Sequence, residues 1–296
     1  MNEKYKISVV LATFNEEKNL PACLESIKEI TDDIVIVDGT STDKTVSIAK
    51  KFGAKVVVTK NHPIFHINKQ KAIEMAKHEW ILQLDADERV SKSLANEIVA
   101  LASMNEAEIE HHQKKLHHKK LFLRHQQLLS ERDGHIGTRN GVYSAFFIPR
   151  LNYFLGRYLR YGGVYPDGVI RLIRKGKAYL PCKDVHEQMV VAGKVGWLQN
   201  DLYHFDSPTF KRYLGRNSRY IDLLTVELKE NHVTKNLGDV YQYMVHMPVS
   251  WFLQTYIRHK GFLDGWQGFV FSFFSALRFP RAYLRFIGVS NKSKDT

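Results

Sequence analysis

Through the first hundred residues, short β-rich apolar runs alternate with stretches whose apolar positions recur at helical spacing. Strands are expected at about Lys6 to Ala12, Asp33 to Val37, Lys55 to Thr59 and Trp80 to Leu84, and helices at about Glu17 to Lys28, Asp43 to Phe52 and Asn68 to Lys77. This is the rhythm of parallel βαβ units, with helices on both faces of the sheet. From Asn105 to Asn140 the rhythm breaks into a basic segment with His111, His112, His117, His118 and His125, ending near Gly134 and Gly137. It reads as a helical excursion with a solvated or membrane-facing surface. Adjacent histidines leave a helix on different sides, and no cysteine or carboxylate completes a ligand set. Arg150 to Asp184, rich in Arg, Tyr and Gly, is expected to complete a pocket. After Phe210 the pattern is helical, and from Leu237 to Ile287 aromatic residues are interleaved with Arg258, Lys260, Arg278, Arg281 and Arg285. The chain is therefore expected to be α/β with a mostly parallel central sheet. The expected division is a catalytic domain over residues 1–210 and a helical, aromatic-rich region over 211–296.

Composition narrows the class. With 44% hydrophobic and 25% charged residues the chain folds rather than remaining disordered. A net charge of +12 predicts attraction to something anionic, such as nucleic acid, lipid headgroups or phosphorylated glycans. No nucleic-acid reader motif is present, and acidic clusters at the expected pocket would repel phosphate without a metal, so no nucleic-acid partner is expected. Cys23 and Cys182 lack metal-ligand spacing and are too few for a disulfide framework, which fits reduced thiols in a cytoplasmic protein. The apolar run Ile7 to Leu11 passes straight into Asn15-Glu16-Glu17 and reads as a buried strand, not a secretory signal. Val240 to Ile257 lacks acidic residues, Lys and Arg but is interrupted by Pro248, His246, Gln242 and Gln254. Phe269 to Leu277 is too short to span a bilayer. Contact with an anionic membrane surface, without crossing, is the expectation.

Polar clusters follow the predicted strands, where open α/β sheets bind ligands. Thr13, Asn15 and Glu16 follow the first, Asp38 to Asp43 the second, and Asp85-Ala86-Asp87-Glu88 the fourth. Asp85 and Asp87, one residue apart after Trp80-Ile81-Leu82-Gln83-Leu84, can face one hard divalent cation and the phosphates that it binds. Asp38 can accept hydrogen bonds from a nucleobase or ribose. Asn15 suits a helix cap, as does Thr42 or Asp43 before the next helix.

In order and spacing, Val9-Val10-Leu11-Ala12-Thr13-Phe14-Asn15-Glu16, Ile36-Val37-Asp38-Gly39-Thr40-Ser41-Thr42-Asp43 and Leu84-Asp85-Ala86-Asp87-Glu88 resemble a glycosyltransferase of family 2 with its nucleotide-binding GT-A fold. Tyr161-Gly162-Gly163-Val164-Tyr165-Pro166-Asp167, Arg171-Leu172-Ile173-Arg174-Lys175-Gly176 and Val185-His186-Glu187 extend the likeness to bacterial enzymes that add a hexose to the lipopolysaccharide inner core. The resemblance implies donor contacts from Thr13, Asn15, Glu16, Asp38, Lys69 and Asp85, and metal (Mn²⁺ or Mg²⁺) plus diphosphate binding by Asp87 and Asp85. The donor is expected to be a UDP-sugar and the acceptor a glycan or lipid-linked glycan, used at the inner face of the cytoplasmic membrane. Where many relatives carry two acidic residues before Gly-Ser, this chain has only Asp38 before Gly39-Thr40-Ser41.

The reaction needs a base for the acceptor hydroxyl. Glu187 is the candidate, with Asp184 competing and His186 orienting it or binding metal. Asp167 and Arg171 are expected on the acceptor side, and Arg171 and Arg174 are placed to balance phosphate charge. A single displacement predicts inversion at the anomeric carbon. A sugar nucleotidyltransferase would carry a Gly-rich, Arg- and Lys-containing loop after the first strand, where this chain has Thr13-Phe14-Asn15-Glu16-Glu17. A non-catalytic protein of the same fold that binds anionic surfaces is the remaining alternative.

Overall fold

The computed structural model describes residues 6–183, 188–231 and 233–292, with the backbone alone for 289–292. The expected βαβ rhythm is present as β1 (Ile7–Thr13), α1 (Leu20–Glu25), β2 (Asp33–Asp38), α2 (Thr45–Lys51), β3 (Lys55–Val58), α3 (His66–Glu74) and β4 (Trp80–Leu84). These strands are parallel in the order β3-β2-β1-β4, with Thr13 opposite Asp38 and Leu11 opposite Leu84. Alternation along each strand divides the core in two. Ile7, Val9, Leu11, Ile36 and Leu82 pack with Leu20, Cys23 and Leu24 of α1 on one side. Val10, Val35, Val37 and Ile81 pack with Ala72 and Ile73 of α3 on the other. Both faces are covered, so the strands read as continuous apolar runs.

After β4 the chain forms β5 (Glu88–Val90), α4 (Lys92–Leu101), α5 (Glu106–Lys114), α6 (Lys119–Asp133), β6 (Tyr143–Phe154), β7 (Arg157–Tyr158), β8 (Asp167–Arg174), β9 (Ala178–Tyr179), β10 (Val190–Val191), β11 (Lys194–Trp197) and β12 (Leu202–Ser207). The sheet continues past β4 as β8-β6-β12-β5. Here β8 is antiparallel to β4, and β12 is antiparallel to β5, with His204 opposite Glu88.

The basic excursion is helical, as expected, but it is also docked into the core. Asn105 and Glu108 form a reciprocal capping box at the start of α5. Gln113 bonds both the amide and the carbonyl of Trp197. Phe122 stacks on the Trp197 indole at 4.6 Å, with Phe147 on the same ring at 4.7 Å. His112 pairs with Glu97 and His117 with Gln199, and His125 accepts from the Gly168 amide. His111, His117 and His118 are exposed, whereas Gln113, Leu116 and Phe122, outnumbered in sequence by their basic neighbours, are buried.

Residues 152–165 and 205–296 form a second compact unit. Here β7 pairs with the last two residues of β6. Helix α7 (Phe210–Glu230) buries Tyr213, Asn217, Ile221 and Thr225 at four-residue spacing, then Leu228. Its partner is α11 (Arg278–Lys292), through Ala282, Tyr283 and Phe286. Between them run α8 (Leu237–Tyr241), a π-helical turn at Gln242–His246, α9 (Met247–Phe252), a second π-helical turn at Leu253–Arg258, a 3-10 turn at Gly261–Asp264 and α10 (Gly265–Ala276). Among the described residues, no helix is long and apolar enough to cross a membrane.

Candidate active site

The loops after β1 and β2 are joined to each other. Asp38 is fully buried, and both its carboxylate oxygens are engaged by the turn. Thr13 Oγ1 donates to Oδ2 at 2.9 Å, Ser41 Oγ to the same oxygen at 2.6 Å, and the Ser41 amide to Oδ1 at 2.8 Å. Asn15 takes a left-handed conformation (φ 54°), which Asn tolerates better than most residues. Its amide donates to Ser41 Oγ, and its Oδ1 accepts from the Thr42 amide, each at 2.8 Å. The Glu16 amide donates to Thr45 Oγ1, and Asn19 Nδ2 to Glu16 Oε2, each at 2.8 Å.

These contacts revise the capping expectations. Helix α1 starts at Leu20, beyond Asn15, and α2 has Lys44 at its N-cap position, with Asp43 accepting from the amide of Thr45, the first residue of the helix. Asn15 and Asp38 therefore brace the loop after β1 against the loop after β2.

After β4, Asp85 is enclosed by cations. Lys69 Nζ lies 2.5 Å from Oδ1, and an Arg171 nitrogen lies 2.5 Å from Oδ2. That same nitrogen donates to Glu88 Oε1 at 2.7 Å, while Arg171 also bonds Gln83. Glu88, with no exposed surface, accepts from the Asp85 amide at 2.9 Å and closes the turn. Arg150 lies 3.5 Å from Glu88 and 2.7 Å from Asp167. Lys69, Asp85, Arg171, Glu88, Arg150 and Asp167 thus form a row of alternating sign. Burial pushes the Asp85 carboxyl up, but the Arg171 and Lys69 charges outweigh it and hold the group well below the usual carboxylate range. Burial lowers the Lys69 ammonium despite Asp85. For Arg171, burial is overcome by Asp85 and Glu88, which raise its affinity for the proton. Arg171, expected on the acceptor side, lies against Asp85; Asp167 pairs with Arg150.

Asp87 faces a different neighbour. Its Oδ1 lies 3.7 Å from His204 Nε2. The antiparallel β5-β12 pairing brings them together, since His204 stands opposite Glu88. A carboxylate oxygen beside an imidazole nitrogen fits an ion such as Mn²⁺, which accepts both donors. Asp85, with both oxygens held by cations, is the weaker fit. Among the described residues, no three His, Cys, Asp or Glu side chains gather as a metal cage. The two-donor set suits a cation shared with phosphate oxygens.

Asp184, His186 and Glu187 lie outside the described residues. Arg174 is held by Glu79 and Glu106 and stacks over Trp80 at 4.8 Å, away from Asp85. Sequence reasoning passed over Gln83, Arg150 and His204. Gln83, the one polar residue of Trp80-Ile81-Leu82-Gln83-Leu84, carried a signal; the other two are brought in by antiparallel pairings that no local pattern reveals.

An uncharacterised glycosyltransferase of Rickettsia typhi is 28% identical over 291 residues, 97% of this chain and 89% of its own. A lipopolysaccharide core biosynthesis glycosyltransferase of Rhizobium meliloti is 25% identical over 301 residues, 94% of this chain and 93% of its own. Residues 1–349 of S. aureus TarS, solved with UDP, align over 87% of this chain and 74% of that one, with a TM-score of 0.41 and 14% identity. The Glycosyl transferase family 2 model matches residues 8–177, a span running from β1 through β8 that includes all three polar loops. The chain belongs to glycosyltransferase family 2 and has its GT-A fold.

Proposed function

We propose that this protein is a metal-dependent, inverting hexosyltransferase that moves a sugar from a UDP-sugar to a glycan or lipid-linked acceptor, with the lipopolysaccharide core as the acceptor class. The observation that carries the reading is the pairing of Asp87 with His204 beside the Lys69–Asp85–Arg171 cluster, beyond the carboxyl ends of β1, β2 and β4. The core-biosynthesis relative, similar along nearly its whole length, supports the acceptor class.

In this reading the loops of Thr13, Asn15, Glu16 and Asp38 wall the nucleotide. Asp87 and His204 would hold the divalent cation, with Asp85 behind them, and a bound Mn²⁺ or Mg²⁺ supplies charge neutralisation to the diphosphate. Lys69 and Arg171 add fixed positive charge in a site of low dielectric. Glu187 takes the proton from the acceptor hydroxyl as its oxygen bonds to the anomeric carbon and the bond to the diphosphate oxygen breaks. His186 orients Glu187, Asp184 is the alternative base, and Asp167 faces the acceptor. The reaction takes place at the inner face of the cytoplasmic membrane, with the anionic lipid surface as a partner.

The test is incubation of the full chain with a panel of nucleotide sugars, Mn²⁺ or Mg²⁺, and lipopolysaccharide-core acceptors. A matching donor should release its nucleoside diphosphate, and Asp87→Ala should abolish release. NMR of the product should show the anomeric configuration opposite to the donor's. Retained configuration would remove Glu187 as a simple base, and turnover unaffected by chelator would remove the metal.

A further inference from the structure

The turns and helices between Leu253 and Phe273 carry a cluster of exposed apolar side chains. Ile257, Phe262, Leu263, Trp266, Phe269 and Phe273 are all exposed, Trp266 at 60% and Ile257 at 53%. Ring contacts join three of them: Tyr256 lies 6.2 Å from Phe262 and 5.7 Å from Phe269, and Phe269 stacks on Phe273 at 5.8 Å. A patch of this kind on a folded protein marks a binding surface.

Charge identifies the occupant. Arg258 and Lys260 stand exposed beside the patch. Asp264, the single acidic residue between Val240 and Gly288, is buried. A two-fold contact between copies would bring two basic patches together. A lipid surface with anionic headgroups complements the cations and takes up the rings at the level where aromatic residues lodge.

The same segment is fastened to a loop. The Asp264 carboxylate accepts from the Tyr161 amide at 2.8 Å and from the Arg160 amide at 3.1 Å. The Gly162 amide donates to the His259 carbonyl at 2.9 Å. Gly268 lets α10 lie directly on the 3-10 turn, since a Cβ there would sit 1.9 Å from the Gly261 oxygen. The apolar turn, the start of α10 and the Arg160-Tyr161-Gly162 loop are thereby held as one piece.

We propose that the Ile257–Phe273 face docks into the headgroup layer of an anionic bilayer, and that Asp264 fixes the Arg160-Tyr161-Gly162 loop to the docked turn, holding it at the level of a membrane-borne acceptor. This deepens the proposed membrane acceptor and rests on it, yet the test contains neither donor nor acceptor, so docking and transfer fail separately.

The full chain is sedimented with vesicles of phosphatidylcholine containing phosphatidylglycerol, and with phosphatidylcholine alone, at low and high salt. Salt-sensitive binding to the anionic vesicles, a blue shift of tryptophan emission, and at least a tenfold weaker partition for Phe262→Ser/Trp266→Ser with an unchanged urea midpoint would support docking. Slower hydrogen exchange at the Arg160 and Tyr161 amides on vesicle addition would support the coupling. No vesicle binding, equal binding by the double variant, or a concentration-dependent dimer lost in that variant would overturn docking. Bound protein with unchanged exchange at Arg160 and Tyr161 would overturn the coupling.

Discussion

Lys69 Nζ sits 2.5 Å from Asp85 Oδ1, with the lysine side chain almost wholly out of solvent. Burial opposes the charge on Lys69, and Asp85 sustains it. Lys69→Met leaves Asp85 still paired with Arg171, so its main effect should be on turnover, a loss of about a hundredfold. Arg171→Met takes a cation from two carboxylates at once, leaving Asp85 with Lys69 alone and the fully buried Glu88 with Arg150 at 3.5 Å, and should cost about 3–5 kcal/mol of stability. Urea denaturation of the two variants, run beside donor-turnover assays, separates the effects; equal destabilisation would contradict this division of roles.

The acid limb of stability should report on Asp85. Its folded-state affinity for the proton is depressed, so its contribution is present above the ordinary carboxylate pKa of about 3.9 and is lost as pH falls below that value toward the folded one. Asp85→Asn should therefore flatten the fall in melting temperature below about pH 4. Identical acid limbs in the two proteins would show that the pairing contributes little.

For the Asp87–His204 pair the expectation is a shared effect on metal. His204→Ala and Asp87→Asn should each weaken Mn²⁺ binding in the presence of UDP by about tenfold or more, about 1.4 kcal/mol. Asp85→Asn should weaken it less, because its oxygens face Lys69 and Arg171. Calorimetric titration reads all three, and an order led by Asp85 would reverse the assignment.

Docking of the basic excursion depends on the Phe122–Trp197 stack. Phe122→Ala removes a fully buried ring and should cost about 3–5 kcal/mol, whereas Lys119→Gln or Lys120→Gln on the exposed face should stay within about 0.5 kcal/mol. Urea midpoints provide the comparison.

The parallel half of the sheet was legible because Ile7 to Leu11 and Trp80 to Leu84 are buried on both faces and leave an apolar signal interrupted only by Ser8 and Gln83. The polar clusters were legible because each follows such a run. The partners of those clusters were not. Asn15 bonds across to Thr42 instead of along its own helix, and His204 reaches Asp87 only once β12 lies against β5. In the second unit the sequence announced aromatic helices, but only the packing of Phe271 and Phe274 with Phe154 and Tyr213 shows which rings of α10 turn inward and leaves Phe269 and Phe273 outside.

The row from Lys69 to Asp167 holds three cations and three carboxylates, so its formal charges sum to zero. For anyone redesigning this enzyme, these positions are not six independent choices. Changing any one leaves the row with a net charge beside the fully buried Glu88, and restoring neutrality requires a compensating change at a neighbour. Libraries that vary donor preference should therefore mutate adjacent members together, or leave the row intact and diversify the wall built by the first two loops.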